Sequence, residues 1–309
     1  MTQASAPAKI ILFGEHAVVY GCPALAAPVS SLRAYADVVA QSNPGIVIHA
    51  PAFGQALPVG LDVDIVDNAL ALTVRLVLTA TGKTTDALAI HLHSDIPIAS
   101  GMGSGAAVST AIARALCAHL GVSMTDQALN ELVYEVEKLH HGNPSGIDNT
   151  VIVYEKPVYF VRGQIPAPLT PKTPIHLVIG DTGRAASTRD AVAGVRARYD
   201  ADTVAVSHIF AEIRQIVTDA RQLIETGTPA QLGVLMTRNH ELLRALTVSS
   251  PELDHLVKAA LAAGALGAKL SGGGRGGIMI ALVTPETTSA VAQALRHSGA
   301  VKTIETEIT

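Results

Sequence analysis

The chain has no tryptophan, and aromatic residues make up only 3% of its 309 positions. It therefore lacks the stacking platforms on which single-stranded nucleic acid is held. A formal net charge of −4, from 22 basic and 26 acidic residues, supplies no basic stripe either. Two cysteines, Cys22 and Cys117, lie far apart in apolar surroundings and form neither a disulfide framework nor a CxxC pair, so both are expected as reduced core residues. Mean hydropathy is +0.36, yet no window approaches ~18 uninterrupted apolar residues, which excludes an evident membrane span. The opening MTQASAPAKIILFGEH has no basic start followed by an apolar stretch and a small-residue cleavage site, and a cytoplasmic location is expected. Also missing are a GxxxxGK[ST] loop, an HEXXH helix (His240 and Glu241 are followed by Leu-Leu-Arg) and any fixed-period repeat.

What is present fits two lobes. At 309 residues the chain exceeds what one hydrophobic core usually serves. Four prolines crowd residues 163–174, and the expected division falls there, as 1–165 and 166–309. In the first lobe, segments 9–13, 34–40, 45–49 and 88–93 alternate as strands do. The spacing of Val66, Leu70, Val74 and Val77 predicts a helix over 63–79 with Asp62 or Asp64 as its cap. Further helices are predicted after Ser104, with Ser104 itself as cap, and from a Thr125 cap to about residue 140; segment 151–161 reads as β. The second lobe opens with strand 175–180, continues with helices near 187–199, 203–225, 229–244 and 251–263, and ends in a strand, glycine loop and strand within AKLSGGGRGGIMIALV. That is an α+β arrangement of helices over a sheet.

Four stretches can carry chemistry. In IPIASGMGSGAA, residues 96–107, an apolar strand-like segment runs through small residues into a helix, so backbone amides and the positive end of the helix dipole face one point, as a phosphate requires. The competing reading is an ordinary loop-to-helix turn. Gly272, Gly274 and Gly277 match GxGxxG, but β-like IMIALV follows where a dinucleotide fold needs a helix, which leaves a strand-to-strand turn. EKLHHGNPSGID places Glu137 in a last helical turn, where the dipole disfavours an anion unless a cation is near, and sets Asp148 after a Gly/Asn-Pro/Ser-Gly turn. Lys9, Glu15 and His16 surround the end of the first strand; a lysine paired with Asp148 would keep it ionised and would stabilise charge on a transferred phosphoryl group. Taken alone, Lys9 reads first as a surface lysine, Glu137 as a solvated glutamate and Asp148 as a turn residue. His91-x-His93 points two imidazoles the same way, with no third ligand placed.

In order, PAKIILFGEHAVVYG, DIPIASGMGSGAAVSTA, HGNPSGIDN, STRDAVAGVR and KLSGGGRGGIMIAL resemble the GHMP kinases over nearly the whole chain, and within them the mevalonate kinase branch most closely. GEHAVVYG and HGNPSGID are the segments specific to that branch; the two glycine motifs mark only the superfamily. The resemblance implies a two-lobed GHMP kinase fold, with a ribosomal S5-like N-terminal lobe containing a left-handed β-α-β turn and a ferredoxin-like C-terminal lobe, and with ATP and substrate meeting in a cleft. It implies Asp148 and Lys9 as catalytic residues. Ser100, Gly101, Met102, Gly103, Ser104, Gly105, Ala106 and Ala107 would wrap the ATP phosphates. Glu15, His16 and Thr188 would lie near substrate or order the site, and Glu137 with Ser104 would hold Mg²⁺. The implied partners are mevalonate and ATP, with a homodimer compatible with the family.

Three positions depart from the family pattern. GLGSSA is usual where GMGSGA stands, so Gly105 replaces a serine that commonly binds Mg²⁺, and Met102 replaces a leucine. GAGGGG becomes GGGRGG, which puts Arg275 where a glycine is expected and suggests an extra cation near the phosphates. The expected activity is phosphorylation of the mevalonate C5 hydroxyl. The alternatives are a related GHMP small-molecule kinase acting on another isoprenoid precursor and a catalytically inactive ligand-binding homologue.

Overall fold

The computed structural model describes residues 1–51, 55–59, 68–85, 87–97, 100–141, 144–185 and 187–309. The chain divides into two compact units that interleave along the sequence: residues 1–8, 30–97 and 103–155 form the first, and residues 9–29, 98–102 and 156–309 the second. Strands β1 (Thr2–Phe13) and β2 (Ala24–Ala40) each contribute to both.

In the first unit, β3 (Gly45–Ala50), β4 (Gln55–Val59) and β5 (Ala87–Ser94) join β2 in the order β4-β3-β5-β2. β3 and β5 run parallel and the other pairs antiparallel. Helix α1 (Ala69–Thr81) is capped by Asn68, whose side chain accepts from the amides of Leu70 and Ala71. The expected caps Asp62 and Asp64 lie outside the described residues, and the extended backbone of Asn68 starts α1 at Ala69. Helix α2 (Ser104–His119) is buried nearly all round. Its alanines and serines admit close neighbours, and it packs on α1, on α3 (Asp126–His141) and on α4 (Ile147–Tyr154). Thr125 Oγ accepts from the Ala128 amide and caps α3, as its sequence predicts.

Two expectations fail in this unit. Residues 151–154, read as β, belong to α4. Val151, Ile152 and Val153 are all buried, and a short apolar run buried on every side carries no period by which strand and helix can be told apart. Ser104 is the first helical residue and not the cap; Gly103, left-handed at φ 73°, holds that place. The unit is tied by Glu155, itself left-handed at φ 50° at the end of α4. Its carboxylate receives the guanidinium of Arg33 from β2, at 3.0 and 3.1 Å, and that of Arg114 from α2. Arg33 also donates to Ser5 Oγ, and Arg114 to the carbonyl of Val153.

In the second unit β6 (Val158–Phe160) pairs with Ala24–Ala26 of β2, and β7 (Ala167–Pro168) with β6. β8 (Ile175–Asp181) opens the second sheet. Helices α5 (Thr188–Ala201), α6 (Thr203–Thr226), α7 (Leu232–Ala245) and α8 (Pro251–Ala262) follow, then β9 (Gly267–Ser271) and β10 (Ile278–Leu282). The chain beyond residue 284, for which the sequence reading makes no assignment, forms α9 (Thr288–His297) and β11 (Lys302–Ile308). Val291, Ala292 and Leu295 form the buried face of α9, and Ile304 and Ile308 are buried in β11. The sheet runs β11-β8-β10-β9, antiparallel throughout, with α7, α8 and α9 packed on it. Among the described residues no helix is long and apolar enough to cross a membrane.

Candidate active site

The glycine-rich segments are built by close approach. β9 and β10 are joined by 272–277, where Gly272, Gly274, Gly276 and Gly277 all take positive φ. A Cβ on Gly274 would lie 1.9 Å from the Val248 carbonyl oxygen, and one on Gly277 2.6 Å from that of Ser100. The second contact brings the turn against residues 100–101 of the other glycine segment within the same unit, so the two glycine motifs of the sequence are neighbours here. Ser100 and Met102 are buried, and the Met102 carbonyl accepts from the Lys9 amide at 3.0 Å. The motif therefore reaches the start of α2 with its backbone fixed. Gly103, Ser104 and Gly105 follow at the helix N-terminus, where the unpaired amides and the dipole favour an anion.

Residues 14–16 meet the same glycine turn within the second unit. Gly14 (φ 100°) and His16 (φ 60°) turn the chain sharply after β1. His16 Nε2 lies 3.0 Å from the Gly273 carbonyl oxygen. Because a carbonyl only accepts, Nε2 carries the proton, and burial lowers the imidazole pKa from 6.5 to about 4. His16 is thus neutral, with Nδ1 left as an acceptor. Thr188, first in α5, faces the same glycine: a Cβ on Gly273 would sit 3.0 Å from its Oγ. Glu15 is wholly buried and ion-paired with Lys269 of β9. Burial pushes its carboxyl up, opposed by Lys269 and, more weakly, by Lys9.

In the first unit, Glu137 is buried rather than solvated, and its Oε1 is 3.2 Å from the position a Cβ on Gly105 would take. Asp148 stands in the first turn of α4, after left-handed Gly146, where the helix dipole favours a carboxylate. Lys9 is likewise buried, not the surface lysine of its isolated reading. The structure thus brings Gly105 to Glu137 in one unit, and Glu15, His16, Thr188 and the 272–277 turn together in the other. Asp148 belongs to the first unit and Lys9 to the second.

Arg275 does not stand as a loose cation. At φ 59° it sends its guanidinium over Gly194 of α5, donating to the carbonyls of Asp190 (3.3 Å) and Thr247 (3.5 Å). Lys269 is the residue that sequence reasoning missed. Its signal was a single lysine inside an otherwise apolar strand ahead of a glycine turn. Among the described residues no three His, Cys, Asp or Glu side chains are placed to hold a metal together.

Known proteins resemble the chain in sequence and in fold. Residues 68–156 match the GHMP kinases N terminal domain, and residues 220–301 match GHMP kinases C terminal. The chain is 37% identical to the mevalonate kinase of Thermococcus onnurineus, covering 96% of this chain and 93% of that one. It is 35% identical to that of Pyrococcus furiosus, covering 99% and 95%. Among solved structures it resembles L. major mevalonate kinase in complex with R-mevalonate, with TM-score 0.85, 28% identity and coverage of 100% and 96%. The mevalonate kinase of Methanococcus jannaschii is similar too, at TM-score 0.86, 25% identity and coverage of 99% and 98%. With both lobes matched, and with full-length relatives at this level of identity, the chain belongs to the GHMP kinase family.

Proposed function

We propose that this protein transfers the γ-phosphoryl group of ATP to the C5 hydroxyl of mevalonate, giving 5-phosphomevalonate and ADP in the cytoplasm. The observation that carries the reading is 35% to 37% identity to mevalonate kinases over nearly the whole chain. Lys9, Glu137 and Asp148 are all present, which disfavours an inactive homologue. Phosphoryl transfer asks chiefly for positioning and charge neutralisation, with little covalent chemistry. In this reading the amides of residues 100–107 cradle the phosphates of ATP. Asp148 accepts or orients the C5 hydroxyl proton, and the ammonium of Lys9 stabilises charge on the group in transit. Glu15, neutral His16 and Thr188 order the acceptor.

The residues fit a hard divalent cation. Glu137 is a buried carboxylate beside the start of α2, and a magnesium ion needs only one or two protein oxygens, taking the rest from phosphate and water. Glu137 and Ser104 would hold Mg²⁺, which when bound would neutralise phosphate charge.

The test is ADP release by purified protein offered mevalonate, galactose, homoserine or phosphomevalonate. Turnover with mevalonate is expected. Silence with mevalonate and turnover of another acceptor would overturn the substrate.

A further inference from the structure

We propose that Lys269 is a positioning residue for the acceptor side of this site: by pairing with Glu15 in the core it fixes the 14–16 turn and so seats His16 on the glycine turn. The kinetic part of this inference rests on the kinase reading; the structural part does not.

Lys269 lies in the middle of β9, opposite Ile280 of β10, and both it and Glu15 have no exposed side-chain surface. Its ammonium donates to Glu15 Oε1 and to the Leu270 carbonyl at 2.7 Å. Strand alternation puts Ser271 on the same face, and Ser271 Oγ bonds both the amide (3.0 Å) and the carbonyl (2.9 Å) of Ile11 in β1. The face of β9 carrying residues 269 and 271 is therefore pinned to β1 and to the turn that follows it. That pinning matters because the turn is conformationally demanding. His16 is held left-handed at φ 60°, a region that a non-glycine residue keeps only when its surroundings over-determine it. Two contacts do so: Glu15 on Lys269, and His16 on Gly273.

The pair also leaves something over. Glu15 Oε2 is buried and has no hydrogen-bond partner among the described residues, and a buried carboxylate oxygen in that condition is costly unless a donor arrives. A lysine that needed only satisfaction would be better replaced by an apolar residue, since buried ion pairs add little net stability. The charged groups facing the turn are Lys269 and Lys9 toward Glu15, and Arg275 and Lys269 toward His16.

The experiment compares the parent chain with Lys269→Met and with the double variant Glu15→Gln/Lys269→Met, which removes both charges and guards against misfolding of the single variant. The His16 imidazole is titrated by NMR, and steady-state constants are measured per folded molecule. In both variants the His16 midpoint is expected to rise from about 4 toward the ordinary 6.5, because the loosened turn lets water reach the imidazole and the Lys269 charge that holds it down is gone, by more than the lost Gly273 hydrogen bond lowers it. KM for the acceptor should rise about tenfold or more, while KM for ATP stays within about twofold. An unchanged His16 titration in the double variant would overturn the proposal, as would loss confined to the yield of folded protein. If the parent shows no turnover of mevalonate, the substrate reading fails alone, and the titration still decides the role of Lys269.

Discussion

A Cβ at position 105 would stand 3.2 Å from Oε1 of Glu137, closer than ordinary van der Waals contact. Where relatives are expected to carry a serine, this chain gives the space to a carboxylate, and the two cannot both hold their places without a shift of some tenths of an ångström.

Gly105→Ala adds the Cβ without a ligand, whereas Gly105→Ser adds a hydroxyl as well. The alanine variant is expected to raise the Mg²⁺ concentration needed for half-maximal rate, by displacing Glu137. Serine should recover part of that loss. Identical Mg²⁺ titration curves for all three proteins would show that the metal does not depend on this corner.

Asp148→Ala is expected to lower kcat by ~10² or more, as loss of a positioned acid-base group typically does. Circular dichroism should show the fold intact, because the residue is only part-buried at a helix start. Near-normal turnover would remove Asp148 from the chemistry.

Gly194 and Arg275 should be coupled. Alanine within a helix is favoured over glycine by roughly 0.5–1 kcal/mol, but a Cβ at 194 would lie 2.3 Å from Arg275 Nη2. Gly194→Ala should therefore stabilise the Arg275→Gly variant and do little or nothing for the parent. Urea denaturation of the four proteins checks this, and additive effects would deny the contact.

Glu155 does two things at once: it bridges Arg33 and Arg114 and holds a left-handed φ of 50°. Glu155→Ala removes the bridge and keeps the strain, for a loss of about 1–3 kcal/mol. Glu155→Gly removes both and should be the more stable of the two, by about 1 kcal/mol. Equal denaturation midpoints would mean that the backbone at 155 relaxes.

Stability should fall in mild acid. Burial lowers the pKa values of His16 and His240 from 6.5 to about 4, against the pull of Asp254 on His240 and with the aid of Lys269, Arg244 and Arg275 nearby. Between these values the unfolded chain binds the extra protons. The stability contribution is therefore complete above the unfolded value and is lost as pH drops toward the folded one, at about 1.4 kcal/mol per pH unit for each histidine. Urea midpoints measured between about pH 7 and about pH 5 should decline; a rise would contradict neutral buried imidazoles.

The legible part of this molecule was what local pattern encodes. Thr125 announced its helix because capping is a short-range bond, and the glycine turn after Lys269 announced itself by composition. The Glu15–Lys269 pair was hidden because 254 residues separate its members and only the meeting of β9 with the turn after β1 joins them. The helical state of 151–154 was hidden for another reason: burial on all sides erases periodicity. At Arg275 the sequence offered a charge, and packing spent it on two carbonyls of the fold.

β9 closes one side of the second sheet, and at Leu270 its outward backbone is already occupied. The Leu270 amide donates to His240 Nδ1 at 3.3 Å, and its carbonyl takes the Lys269 ammonium. At Leu270, then, neither the amide nor the carbonyl is open to pairing with a stray chain. Lys269, which orders the turn at Glu15, therefore also takes part in closing this border of the sheet.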